Sequence, residues 1–223
     1  MLWVGQFGIV AGEALERTPW VGAYPDPVRA AESADLFLIV EPATESSAEF
    51  CEELKDVIGS VFHSEKLSLT GGMLRALRAA HEQLREWNRR SLKDHWVAAG
   101  VSCLSVREGD FYLAQVAPAN AALYRNGQLA HLEPSLPDAR EPLGLYDDFL
   151  PEFTRLELAE GDRILLLSPA LARAVPEEAL SAALALPPED CLPALYRDAR
   201  ALAACGALLA APVRQAESPE PAP

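Results

Sequence analysis

The chain has 223 residues, half of them apolar and only 7% aromatic, with 33 acidic against 19 basic side chains and a formal charge of −14. That length suits one domain with a sizeable core, and that charge repels phosphate backbones and anionic headgroups, which excludes nucleic acid and membrane surfaces as partners. Cys51, Cys103, Cys191 and Cys205 lie far apart without a C-x-x-C pair, so they read as reduced core thiols rather than a zinc or redox framework.

The opening MLWVGQFGIV predicts a strand. It has no basic n-region, and no stretch of the chain reaches the ~18 apolar residues of a membrane span, so a cytoplasmic location is expected. Residues 12–34, with Pro19, Pro25 and Pro27, read as an irregular connection, and DLFLIVEP as a buried central strand. In TESSAEFCEELKDVIGSVF, Ser46 and Glu49 have capping-box spacing ahead of Phe50, Leu54, Val57 and Ile58, which predicts a helix. A second helix is expected after Thr70, Gly71 and Gly72, with Leu74, Leu77, His81, Leu84 and Trp87 along one face.

From 99 to 132 the apolar runs are broken by REGD, APAN and RNGQ. Asn126-Gly127 suits a tight hairpin, and the stretch predicts an antiparallel meander. After a proline-bearing loop, FTRLELAEGDRILLLS gives two more strands around AEGD. PEEALSAALAL, with Pro176 in its first turn, and EDCLPALYRDARALAACG predict helices. These pieces make an α+β layout of two packed sheets with helices outside. A single domain over residues 1–213 is expected, followed by a disordered proline-rich tail over 214–223.

Local motifs with chemistry are few. HEQLR places Arg85 where a zinc protease needs its second histidine. His63, His81, His95 and His131 stand alone in sequence, SLTGGML lacks the lysine of a phosphate loop, and the basic run REWNRRSLKDH sits at a helix end.

Taken in order, LFLIVEP, FYLAQVAPANAALYRNGQLAHLEP, PLG at 142–144 and LAEGDRILLLSPALARAVPEEAL resemble the PPM-type family of metal-dependent serine/threonine protein phosphatases, over roughly residues 5–213. The resemblance implies a four-layer α-β-β-α sandwich of two antiparallel sheets flanked by helices. It also implies magnesium or manganese held by aspartates at one end of the sandwich, where a bridged water attacks phosphorus.

At the aligned positions the family's acids are replaced. Glu41 and Pro42 stand where the first Asp-Gly belongs, Ala117 to Asn120, including Pro118, stand for Gly-Asp-Ser-Arg, and Pro169 and Ala170 follow Ser168 in place of Asp-Gly. ACGALLAAPV, at the closing Asp-Asn, has no carboxylate. Glu41 is left as a solvent-facing acid at a strand end or a weak metal candidate, and Arg17 as a possible remnant of the phosphate-binding arginine. The expectation is therefore a catalytically inactive, cytoplasmic binding or regulatory module with a protein partner, no catalytic residue and no cofactor. Two alternatives stand beside it: a weak or altered phosphatase using Glu41 with Asp26 or Asp147 and magnesium or manganese, and a structural subunit of an assembly.

Overall fold

The computed structural model describes residues 1–15, 17–26, 34–64, 68–107, 109–136 and 138–213; the expected disordered tail lies outside them. In chain order the first strands are β1 (Leu2–Val10), β2 (Glu13–Leu15), β3 (Val21–Tyr24) and β4 (Asp35–Pro42), followed by helices α1 (Cys51–Ser64) and α2 (Leu69–Arg90). Then come β5 (Ala99–Arg107), β6 (Asp110–Val116), β7 (Ala121–Arg125), β8 (Gln128–Leu132), β9 (Glu152–Leu156) and β10 (Arg163–Leu167). The chain continues through α3 (Pro169–Ala174), α4 (Glu177–Leu184) and α5 (Pro188–Ala199) to β11 (Ala204–Pro212).

The strands form two antiparallel sheets, one in the order β2-β1-β11-β10-β7-β8 and the other β3-β4-β5-β6-β9. Successive strand residues face opposite sides, and β4 buries both. Phe37 and Ile39 enter the core between the sheets with Leu104, Leu113, Leu166 and Leu208. Leu36, Leu38 and Val40 pack under α1 and α2 with Leu54, Ile58, Met73 and Leu77. On the other side, α3, α4 and α5 cover the six-stranded sheet through Leu171, Leu180, Leu184 and Leu195. A strand buried on both faces cannot alternate apolar with polar, which explains the unbroken run LFLIV. The expected four-layer sandwich is thus present.

Several local expectations are corrected. Residues 99–132 are not one meander: β5 and β6 lie in one sheet, β7 and β8 in the other, and the chain crosses between sheets at APAN. Pro118 there has no amide to continue a ladder. The strands flanking AEGD likewise part, with β9 at the edge of the five-stranded sheet and β10 inside the six-stranded one. Within 12–34, β2 and β3 form as short strands.

Ser46 and Glu49 fall inside a 3₁₀ turn, Glu45–Phe50, and not at a capping box. Tertiary bonds take precedence there: the buried Ser47 hydroxyl accepts from the Ala98 amide at 2.8 Å, and Thr44 Oγ1 donates to the Trp96 carbonyl at 3.1 Å. Helix α2 starts before the glycines, capped by Ser68, whose side chain accepts from Gly71 N at 3.2 Å. The last predicted helix stops at Ala199, and Ala204, Cys205 and Gly206 already belong to β11.

Candidate functional site

Strand registers bring the singled-out positions to one end of the sandwich. Glu41 is paired with Gly100 across β4 and β5, and Val101 with Val116 across β5 and β6, so Pro42 and Pro118 lie at that same end. Leu166 is paired with Ala121, and the Leu167 amide donates to the Asn120 carbonyl at 3.2 Å. Pro169 and Ala170 follow immediately on β10.

Glu41 shares the sheet face of Phe37 and Ile39 and so points between the sheets. It is only 9% exposed, which corrects the solvent-facing expectation, and its Oε1 is buried without a hydrogen-bond partner. Burial pushes its carboxyl up to about 8, against the opposing pull of the Arg173 guanidinium. Cys51 at the start of α1 and Cys205 on β11 both feel the Glu41 charge; their thiols are pushed up to about 12 and about 11, mainly by burial.

At the same end, Ser168 ties β10 to β11. Its hydroxyl accepts from Leu171 N at 3.3 Å, capping α3, and from Gly206 N at 3.2 Å, while its own amide donates to the Gly206 carbonyl at 2.9 Å. Pro169 occupies a first-turn position of α3, where no amide is required. The strand therefore runs straight into a helix, with no intervening turn.

Two glycines keep the end compact. A Cβ on Gly206 would stand 2.7 Å from Trp20 Nε1, and one on Gly100 would collide with the Pro118 backbone. Trp20 is tied in place because its carbonyl accepts from Val40 N at 2.9 Å.

The acids expected to assist Glu41 are elsewhere. Asp26 donates its amide to Asp35 Oδ1 at 2.9 Å, at the opposite end of β4, about 20 Å along the strand from Glu41. Asp147 pairs with Arg85 on α2. Arg17 is exposed. His63 bonds the Tyr24 carbonyl at 3.0 Å, His81 accepts from Gly144 N at 3.2 Å and stacks on Phe149, and His95 and His131 are exposed. Sequence reasoning missed Arg173 and Trp20. Arg173 lies one helical turn beyond Pro169 and Ala170, a signal available once SPALARA is read as helix; Trp20 carries no such signal, since only the strand register brings it to Gly206.

No family model matches the sequence, and no curated protein matches it either. Solved structures do match. The S. agalactiae serine/threonine phosphatase superposes with a TM-score of 0.78 at 12% identity, covering 95% of this chain and 99% of that one. PppA, described as a key regulatory component of the T6SS in Pseudomonas aeruginosa, gives 0.70 at 13% identity over 94% and 97%. The catalytic domain of the serine/threonine protein phosphatase PstP, in complex with two manganese ions, gives 0.66 at 14% identity over 95% and 99%. The chain has the fold of PPM-type serine/threonine phosphatases.

These matches correct two expectations from the sequence, that the chain is not an enzyme and that it has no cofactor. The fold it adopts is one on which serine/threonine phosphatases act and, in PstP, one that binds manganese. The donor chemistry at this end of the sandwich differs from what two hard cations require, which is several carboxylate oxygens. Glu41 is the one carboxyl brought there by the registers above, the neighbouring thiols are held protonated, and no group of three His, Cys, Asp or Glu among the described residues could hold a metal ion. A two-metal centre does not fit this residue set. The polar groups retained at this end include Glu41, Ser168 and Arg173, whose charge acts on Glu41.

Proposed function

We propose that the chain is a weak or altered phosphoprotein phosphatase acting on phosphoserine or phosphothreonine at the end of the sandwich around Glu41. The observation that carries this reading is the Glu41 carboxyl itself, buried at the end of β4 with an unpartnered oxygen and in the field of Arg173. A carboxyl held near 8 is mostly protonated at neutral pH and is matched to general-acid work. Arg173 offers a guanidinium, the group best suited to phosphate oxygens.

In the reaction, water attacks phosphorus and the bond from phosphorus to the serine or threonine oxygen breaks. The Glu41 proton passes to that departing oxygen, both protons of the water leave with the phosphate as dihydrogen phosphate, and solvent reprotonates Glu41. A phosphorylated protein is the partner in this reading, in keeping with the regulatory role given for PppA. The reading includes a cytoplasmic place of work, supported by four free, buried cysteines, as a reducing compartment favours. No helix among the described residues is long and apolar enough to cross a membrane.

The test is release of phosphate from phosphoserine and phosphothreonine peptides, with manganese supplied in one series. Turnover above the enzyme-free rate that disappears in Glu41→Gln and weakens in Arg173→Ala supports the proposal. Turnover unaffected by Glu41→Gln, or none at all, overturns it.

A further inference from the structure

A groove of about 520 Å³ runs between the 3₁₀ turn Glu45–Phe50 and the last turns of α2. Its apolar side is formed by Trp87, whose ring meets Phe50 edge-on at 4.9 Å between centroids, and by Leu92. Trp87 remains 50% exposed and Leu92 76%, so both offer apolar surface to a partner. Its polar side carries the exposed acids Glu45 and Glu49 with the exposed His95, and no lysine or arginine is among the described residues lining it.

Of the cations next to the groove in sequence, Lys93 lies over the Trp96 ring, 5.6 Å from its centroid. Arg89 and Arg90 both pair with Glu86, the former at 3.1 Å. The groove is thus acidic and apolar at once on a chain that is itself strongly acidic. Such a surface repels acidic partners and attracts basic ones, and an indole face takes a guanidinium or ammonium in a cation–π contact.

We infer that this groove docks a segment of a protein partner in which one large apolar side chain is flanked by arginine or lysine. The apolar residue lies against Trp87 and Leu92, and the cations meet Glu45 and Glu49. Glu45 follows Glu41 by four residues and Val97, on the groove wall, precedes Gly100 by three, so the groove lies toward the Glu41 end of the sandwich. The inference does not depend on chemistry at Glu41.

The probe is a fluorescent synthetic peptide with a central phenylalanine between arginines, titrated into the full chain. Two control peptides replace the arginines with glutamates or the phenylalanine with alanine. Saturable binding of the basic aromatic peptide alone is expected, weakening with salt. Trp87→Ala should weaken it at least tenfold, as a central aromatic anchor does, and Glu45→Gln with Glu49→Gln should remove most of the salt dependence. Leu92→Ser, at a site too exposed to affect folding, serves as the second variant and should also weaken binding. Equal binding of the glutamate peptide, indifference to Trp87→Ala and Leu92→Ser, or no binding at millimolar protein overturns the inference. So does self-association in sedimentation that Leu92→Ser abolishes, since the groove would then be covered by a second copy.

Discussion

Ser168 and Gly206 hold each other from both sides: the Ser168 amide donates to the Gly206 carbonyl at 2.9 Å, and the Gly206 amide donates back to the Ser168 hydroxyl at 3.2 Å. The same hydroxyl caps α3 through Leu171 N. One side chain therefore fixes where β10 ends, where α3 begins and how β11 enters the sheet.

Ser168→Ala removes a helix cap and leaves the buried Gly206 amide without its acceptor. A stability loss of about 2 kcal/mol is expected from those two effects. Urea denaturation of the variant against the parent chain measures it.

Glu41 gives the chain an acid whose folded-state affinity for protons exceeds the unfolded one. With its carboxyl raised from 4.5 to about 8, the folded state binds more protons between those values, so stability is fully present below about pH 4.5 and falls as pH rises through 8. The expected loss from this group is of order a few kcal/mol. Denaturation midpoints between pH 6 and 9 should show the decline, and Glu41→Gln should flatten it.

Asn88 joins three segments. Its amide nitrogen donates to the Val97 carbonyl at 2.8 Å and to the Gly144 carbonyl at 2.9 Å, and its oxygen accepts from Val97 N at 2.8 Å. Asn88→Ala leaves those buried groups unpaired, with an expected cost of about 3 kcal/mol. Thermal melting is the check, and Asn88→Asp should recover only the bond to Val97 N.

Gly100→Ala sets a methyl group against the Pro118 backbone, which cannot swing aside as a side chain could. A loss of about 3 kcal/mol is expected from overpacking, read as a lower midpoint in denaturant. Crystals of the variant should show the 117–120 crossing displaced.

How much of this was legible beforehand depended on range. LFLIV announced a strand buried on both faces, and RILLLS announced the strand ending at Ser168, because those signals are local. The sheet to which each strand belongs was not legible: β6 and β7 are separated by only Ala117 to Asn120, and the same apolar alternation serves a hairpin or a crossing. The capping-box spacing at Ser46 and Glu49 misled because Ser47 is recruited by Ala98, 51 residues away in sequence. Glu41 was found by resemblance, but its burial was hidden, since enclosure by β11, α1 and the Trp20 segment is set by distant pairings. Arg173 was within reach through helical spacing from Pro169.

The pairing of β1 with β11, which sets Leu2 opposite Pro212, has a consequence for synthesis on the ribosome. β1 lies second from the edge of its sheet, with β2 on one side and β11 on the other, yet its main partner follows far later in the chain. At roughly 5–20 residues per second, the open edge of β1 waits on the order of 10–40 seconds for its neighbour. The nascent chain must carry an unpaired strand through that interval, and chaperone capture of early-truncated fragments is where its effect should be seen.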